Sequence, residues 1–380
     1  MQPVIRPSIS HLEPGSRQTF AISGTGSSGF TWLVNGVPGG NRKVGTVTPE
    51  GQYCSPAKPT RGEILIEARA SGGSPRRSWA TVVFDSLSPF YRIQEFWDRK
   101  GEGEGRISTA HSICTDGADR LLIVDTTLSR IFRFTCHGDY LGEIGSGQGS
   151  GPGQLDGPRD AKVSRWGEIY VTDGNNGRIQ VFDRDGRFLR SWARKGKAEA
   201  ELLRPHALDI APDGSVFVVD VDNSKVVAYD NEGRLLRSWG RPGTGPGEFQ
   251  APHGLAVDPN GDVFVAEYHG RVQKFTPEGQ CLASFANPCR EGQRTHGDYK
   301  YHAMNSDAWG NVYLMARDSL EGMVNSIDKY NNSGDFVARL TASAGGRQMT
   351  CEAAAVNQAG MLYVADSSKE HAGVSIFVPC

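Results

Sequence analysis

The chain has 380 residues, of which 48 are glycine and 20 proline, and its formal net charge is -2. The glycine content, about 13% against roughly 7% in average soluble proteins, indicates a turn-rich, all-β protein. The charge excludes a globally basic protein that binds nucleic acid. With no run of 18 consecutive apolar residues, the sequence predicts no membrane span.

The first seven residues lack the apolar stretch of a signal peptide. We therefore expect a secreted or periplasmic protein whose signal peptide is absent from this sequence, with a cytoplasmic protein as the alternative. The seven cysteines are an odd set without C-x-x-C spacing, so they favour neither a disulfide framework nor a zinc knuckle.

Residues 1–86 are predicted to form a separate β-sandwich. Alternating apolar residues and intervening turn clusters predict strands at 18–23, 30–34, 63–70 and 79–84. The run 31-TWLVNGVPGG-40, followed by 45-GTVTPEGQYCSP-56, resembles bacterial Ig-like domains. The resemblance implies an Ig-like sandwich ahead of the rest of the chain.

The rest of the chain repeats itself. Six segments share one template of two short strands around a turn: 109–125, 157–173, 204–220, 251–267, 300–316 and 350–366. A period in the forties with four strands per repeat predicts a β-propeller. The last repeat is one strand short, and residues 92–97 supply the missing strand. We therefore predict that residues 87–380 form six blades with a three-plus-one closure, which leaves no open edge.

The third residue of each repeat is predicted to line the central channel at one height. These residues are His111, Arg159, His206, His253, His302 and Glu352. Three neutral imidazoles from alternate blades, His111, His206 and His302, can converge on the axis as the ligand set of a catalytic Zn²⁺. The same set suits Fe²⁺ or Cu²⁺, and His253 is a fourth ligand or a general base. Alternatively, the histidines are only inherited with the repeat.

Other residues at this mouth are candidates for catalysis. Arg159 is predicted to hold a substrate carboxylate, or equally to pair with Glu352 or Asp160. His253 or Glu352 is predicted to move a proton. Tyr268 is a candidate to position substrate, or an ordinary loop residue.

The motifs 178-RIQVFDRDGRFLRSW-192 and 271-RVQKFTPEG-279 resemble NHL-repeat propellers. The alternate-blade histidines resemble the zinc site of the peptidyl-α-hydroxyglycine α-amidating lyase family. That resemblance implies Zn²⁺ at His111, His206 and His302.

The sequence departs from this lyase family at its other active-site positions. Asn175 stands where the family has its catalytic tyrosine, Val221 and Ser367 stand where it has arginines, and Ala303 replaces an aspartate. The resemblance thus implies a metal site without the family's catalytic partners, and amidating-lyase activity itself is not expected.

The sequence therefore predicts a metal-dependent enzyme, a lyase rather than a hydrolase, that acts on a carboxylate-bearing small molecule or saccharide. Two other readings stay open. One is a non-catalytic extracellular propeller that binds a glycan or a protein, and the other is a non-haem iron oxygenase.

Overall fold

The computed structural model describes fifteen stretches of the chain: 4–7, 9–12, 15–23, 30–57, 63–70, 77–83, 91–101, 103–286, 299–318, 326–341, 343–344, 347–348, 351–357, 359–367 and 371–379. Within these stretches every helix-or-strand element is a β-strand. The all-β prediction is therefore confirmed. No helix in the described part is long and apolar enough to cross a membrane.

The described part of the N-terminal region contains eleven strands. They are β1 (Val4–Arg6), β2 (Ile9–His11), β3 (Arg17–Thr19), β4 (Ala21–Ser23), β5 (Phe30–Val34), β6 (Val37–Pro38), β7 (Gly40–Asn41), β8 (Gly45–Val47), β9 (Gln52–Cys54), β10 (Glu63–Ala70) and β11 (Arg77–Val83). They form a sheet in the order β2-β11-β10-β5-β6, a second in the order β3-β9-β8-β7, and the pair β1-β4. Trp32 of the first sheet and Tyr53 of the second lie in one buried core.

Six four-stranded sheets follow, which we number as ring sheets 1 to 6. Strand β12 (Tyr91–Asp98) comes first, and ring sheet 1 follows with β13 (Ala110–Thr115), β14 (Leu121–Asp125), β15 (Arg130–Phe134) and β16 (Tyr140–Ile144). Ring sheet 2 has β17 (Pro158–Val163), β18 (Ile169–Asp173), β19 (Arg178–Phe182) and β20 (Phe188–Trp192). Ring sheet 3 has β21 (Pro205–Ile210), β22 (Val216–Asp220), β23 (Lys225–Tyr229) and β24 (Leu235–Trp239). Ring sheet 4 has β25 (Pro252–Val257), β26 (Val263–Glu267), β27 (Arg271–Phe275) and β28 (Cys281–Ala286), and ring sheet 5 has β29 (Tyr299–Ser306), β30 (Val312–Asp318), β31 (Ser326–Tyr330) and β32 (Phe336–Thr341). The pair β33 (Ser343–Ala344) and β34 (Arg347–Gln348) precedes ring sheet 6, which has β35 (Cys351–Val356), β36 (Leu362–Asp366), β37 (Gly373–Pro379) and the early strand β12.

The first strands of the ring sheets contact one another in a closed cycle. Each contacts the first strand of the next sheet, and β35 contacts β13. Strand β12 pairs antiparallel with β37, with Trp97 opposite Val374, which is the pairing expected from the repeats. This cyclic arrangement is the one expected of a β-propeller.

A large side chain on each of several outer strands packs over a glycine of the following sheet. Trp192 of β20 lies against Gly233, where φ is +82° and a Cβ would stand 2.4 Å from Trp192 Cγ. Trp97 of β12 lies in the same way against Gly138 of ring sheet 1. Because the contact recurs at β12, this early strand packs as the outer strand of ring sheet 6.

The second strands of ring sheets 1 to 4 and 6 are buried along their whole length and end in a carboxylate. These continuous apolar runs are typical of strands covered on both faces. Asp173 is bound by Arg178 at 2.8 Å, whereas Arg130 at the equivalent position pairs with Glu143 at 2.7 Å. Asp125 accepts backbone N–H groups at 2.6 and 3.1 Å instead. The strand-end carboxylates therefore hold the loops that lead into the channel mouth.

One side chain connects the N-terminal region with the ring. The amide of Asn260, in the turn between β25 and β26, accepts from the backbone N–H of Arg77 and donates to its carbonyl, both at 2.8 Å. The N-terminal region is thereby bonded to ring sheet 4 at the end of β25 that is far from His253.

Candidate functional site at the mouth of the central channel

The cyclic contacts of the first strands bring the predicted histidines together. His111, His206 and His253 are each the second residue of a first strand. The ring centroids are 5.1 Å apart for His111 and His206, 4.6 Å for His206 and His253, and 6.3 Å for His253 and His302. The four imidazoles therefore form one cluster, which we call the histidine cluster.

Backbone carbonyls fix three of these imidazoles. Nδ1 of His111 lies 2.9 Å from the carbonyl oxygen of Arg159, and Nδ1 of His206 lies 3.1 Å from that of His253. Nδ1 of His253 lies 2.9 Å from the carbonyl oxygen of Ala251. A carbonyl can only accept, so in a neutral ring Nδ1 carries the proton and Nε2 keeps its lone pair. This tautomer leaves Nε2 available to a metal or to a proton.

The surroundings also keep these imidazoles neutral. Burial, assisted by the charge of Arg159, lowers the pKa of His111 to about 4. Burial and the neighbouring imidazoles of His111 and His253 hold the pKa of His206 well below its usual range. The pKa of His253 is lowered chiefly by burial. At neutral pH, His111, His206 and His253 therefore present uncharged nitrogen donors.

Arg159 leans over the cluster with an unsatisfied donor. Its Nη1 lies 3.5 Å from Nε2 of His111, while its Nε is buried and has no hydrogen-bond partner. Burial, and then the charge of Arg204, lowers the pKa of Arg159. Among the described residues it forms no ion pair, so the expected alternative of a bridge to Glu352 or Asp160 is not found there. A buried guanidinium N–H without a partner is costly, and a carboxylate would satisfy it.

A buried charge network fills the channel below the cluster. Asp160 accepts from Ser112 Oγ at 2.5 Å and from the backbone N–H of Leu208 at 3.1 Å, and Lys162 Nζ lies 3.8 Å away. Burial by itself lowers the pKa of Lys162, but the carboxylates of Asp160 and Asp209 raise it, and the pKa is raised overall. The cavity that remains is about 20 Å³, which is room for roughly one water molecule. A substrate can therefore reach the cluster only from the mouth.

Tyr268 packs against the histidine cluster. Its ring centroid is 5.0 Å from that of His253 and 5.4 Å from that of His302. Glu352 is half-buried at the second position of β35. Arg204 is not among the predicted site residues, although its charge acts on both Arg159 and His253. Its place in the loop just before β21 was the available signal.

Three positions that differ from the amidating-lyase pattern have structural contacts here. Asn175 donates to a carboxylate oxygen of Asp156 at 3.2 Å, and Val221 is buried in the core. Ser367 Oγ accepts from the backbone N–H of Ala110 at 2.7 Å, and so joins ring sheet 6 to ring sheet 1. These side chains stabilise the loops and do not point to proton transfer.

The donor chemistry of the cluster fits a divalent cation, because neutral imidazoles with a fixed Nδ1 proton are common metal ligands. In the described residues, however, no group of three or more His, Cys, Asp or Glu side chains has the spacing to hold a metal ion. At His111 the guanidinium of Arg159 lies next to Nε2. A metal bound through His111 would therefore have to displace that contact.

Comparisons with known proteins find similarity over part of the chain. Residues 160–295 match the model of the SMP-30/gluconolactonase/LRE-like region. A stretch of 54 residues is 41% identical to the protein brain tumor of Drosophila melanogaster. The matched stretch covers 14% of this chain and 5% of that protein. The chain thus spans a small fraction of that relative's length.

Solved structures share the fold at low sequence identity. A gluconolactonase from Xanthomonas campestris superimposes with a TM-score of 0.53 and 14% identity, over 77% of this chain and 96% of that one. A streptogramin B lyase superimposes with a TM-score of 0.52 and 13% identity, over 76% of this chain and 98% of that one. Virginiamycin B lyase from Staphylococcus aureus superimposes with a TM-score of 0.50 and 12% identity, over 73% of this chain and 82% of that one. Residues 160–295 are therefore similar to the SMP-30/gluconolactonase/LRE-like region, and the chain shares the β-propeller type of fold with lyases and a lactonase.

Proposed function

We propose that the protein is a metal-dependent lyase whose reaction centre is the histidine cluster. In this proposal residues 87–380 are a six-bladed, NHL-type β-propeller closed by β12, and residues 1–86 are an Ig-like sandwich. The six ring sheets, the cycle of first strands and the two packed N-terminal sheets support this division. The placement of the protein outside the cytoplasm remains a prediction.

The observation that carries the proposal is the environment of Arg159. Its buried Nε has no partner, and it faces imidazoles that are neutral at physiological pH. A substrate carboxylate bound there would satisfy the guanidinium and would hold the rest of the substrate against the cluster. The substrate is therefore proposed to be a carboxylate-bearing small molecule or saccharide.

The cluster would hold the metal through Nε2 atoms of His111, His206 and His302, and Nε2 of His253 would stay free to accept a proton. Zn²⁺ is the first choice for such a nitrogen set, and Fe²⁺ and Cu²⁺ are the others that imidazole accepts. When bound, the cation would act as a Lewis acid on a substrate oxygen.

The chain's own residues would bind the substrate and remove the proton in an elimination, in which the C–H electron pair forms the new double bond and the leaving group departs with its own bonding pair. Arg159 binds the carboxylate, and Tyr268 confines the substrate against His253 and His302. Removal of a proton from carbon needs a nearby base that is unprotonated at neutral pH. His253 meets this requirement, because its pKa is lowered and its Nδ1 proton is held by a carbonyl. Glu352 is the second candidate for the base.

Metal content of single variants tests the proposed metal. Wild-type protein purified without added metal should contain close to one equivalent of a divalent metal per chain. His111→Ala, His206→Ala and His302→Ala should each lose most of it, whereas the exposed control His137→Ala should retain it. Wild-type protein with well below one equivalent, or equal retention in all variants, would contradict the metal and favour a binding propeller.

The variant Arg159→Gln distinguishes metal binding from substrate binding experimentally. Arg159→Gln removes the cation beside Nε2 of His111, so we expect metal affinity to be unchanged or higher. The same variant should no longer bind small carboxylates in calorimetric titrations, while methyl esters of those acids should bind neither protein. Carboxylate binding that survives in Arg159→Gln would refute the substrate assignment and leave the metal result intact.

A further inference from the structure

A second cleft lies at the opposite end of the ring from the histidine cluster. It is lined by the β13–β14 turn, the β17–β18 turn and the β35–β36 turn, and its volume is about 820 Å³. His111 is the second residue of β13, whereas Asp116 follows the end of that strand. At about 3.3 Å per residue, these positions are roughly 16 Å apart. The cleft is therefore a separate site, and its size is typical of ligand-binding clefts.

Trp166 stands in the wall of this cleft with 49% of its surface exposed. It is the most exposed large apolar side chain in the described part of the chain. The guanidinium of Arg165 lies over the indole, with Cζ 4.3 Å from the ring centroid, and Gly214 lies against the ring edge. The indole is thus fixed in place while much of it faces water, which is unfavourable unless a ligand covers it.

The cleft has more positive charge than its own acids neutralise. Four arginines line it: Arg120, Arg133, Arg165 and Arg184. Arg120 is paired with Asp116 at 2.7 Å. Among the described residues the other three form no ion pair, and Nε of Arg133 is buried without a hydrogen-bond partner. Arg133 Nη1 donates to the carbonyl oxygen of Arg184 at 3.1 Å, so this guanidinium is held in place.

The distribution of these charges indicates the kind of anion. Each arginine comes from a different segment: the β13–β14 turn, β15, the β17–β18 turn and the β19–β20 turn. The positive charge is therefore supplied by four separate side chains and not by one phosphate-cradling loop. A nucleotide concentrates its charge at one end, whereas an acidic oligosaccharide carries one carboxylate on each sugar ring. An indole face also suits the C–H face of a sugar, because the face of the π-system is electron-rich.

We propose that this cleft binds an acidic oligosaccharide, with one sugar ring stacked on Trp166 and its carboxylates paired with Arg133, Arg165 and Arg184. Carboxylate–guanidinium pairs supply specificity for the acid, and the indole supplies the apolar contact. The site is independent of the reaction proposed for the histidine cluster.

Calorimetric titration of the full-length protein with trigalacturonate tests this proposal. We expect saturable binding that weakens as salt is raised, because the arginines act largely through charge. Trp166→Ala should weaken it at least tenfold, and Arg184→Gln about three- to tenfold. Trp309→Ala, at the equivalent turn position of ring sheet 5, and Arg234→Gln, on an exposed turn of ring sheet 3, are matched controls that should bind like wild type.

Further probes decide the ligand class and the location. The neutral trisaccharide maltotriose should bind at least tenfold more weakly than trigalacturonate, and ADP should not compete. His206→Ala should bind trigalacturonate like wild type, even if it has lost its metal. The proposal is overturned if wild type does not bind, if Trp166→Ala binds normally, or if ADP or maltotriose binds as tightly as trigalacturonate.

Discussion

Acid should destabilise the metal-free protein through its buried histidines. In the unfolded chain the pKa of His111 is near 6.5, whereas burial beside Arg159 lowers it to about 4 in the folded protein. The carboxylate of Asp160 acts in the opposite direction and does not cancel this effect. Between these two values the unfolded state binds a proton that the folded state does not. The contribution of His111 to stability is therefore nearly complete above about pH 6.5, falls as the pH falls, and levels off near pH 4.

The size of this effect follows from the two pKa values of His111. At pH 5 protonation favours the unfolded state by a factor of about 30, which corresponds to about 2 kcal/mol of unfolding free energy. At pH 7.5 the same contribution is close to zero. His206 adds a loss of the same sign, because burial holds its pKa well below its usual value.

Urea unfolding of chelator-treated protein at pH 7.5 and pH 5, at constant ionic strength, measures this loss. His111→Asn is the informative variant, since its amide N–H can still donate to the carbonyl of Arg159 but does not titrate. Between the two pH values wild type should lose about 2 kcal/mol more than His111→Asn. The exposed control His137→Asn should behave like wild type. Equal losses in wild type and His111→Asn would refute the assignment of a neutral, buried imidazole.

Three further substitutions test the ring itself, each by chemical unfolding. Trp97→Ala removes the contact of β12 with Gly138 and should lower the free energy of unfolding by about 3 kcal/mol. A loss below about 1 kcal/mol would show that β12 does not close the ring. Asp160→Asn removes one of the carboxylates that balance the buried charge of Lys162, and should lower the free energy of unfolding by about 3 kcal/mol. An unchanged free energy of unfolding would mean that this charge network contributes no net stability. Gly233→Ala places a Cβ 2.4 Å from an outer-strand tryptophan at a positive φ and should cost about 2 kcal/mol or more, and a neutral result would contradict the tight packing.

Much of the strand order could be predicted from the repeats. The template positions the first strands and turns, and the missing strand of the last repeat pointed to the pairing of β12 with β37. The N-terminal strands were located less accurately, because residues 18–23 are divided between β3 and β4. Short strands with frequent turns give a weak periodic signal, so their ends depend on neighbouring strands.

The site was predictable in its members but not in its contacts. The repeat positions identify which residues share the channel mouth, and four histidines do meet there. The approach of Arg159 to Nε2 of His111 could not be predicted, since it depends on the packing between ring sheets 1 and 2. The influence of Arg204 was missed for the same reason.

The sequence by itself determined the all-β class, the repeat period and the ring position of each histidine, because these follow from spacing along the chain. Only the tertiary structure decided which nitrogen of His111 carries the proton, that Nε of Arg159 lacks a hydrogen-bond partner, and that Trp166 and four arginines line one cleft at the far end of the ring. Those properties depend on distances between side chains of different sheets. Such distances are set by how the sheets pack around the axis, and no local pattern in the chain encodes them.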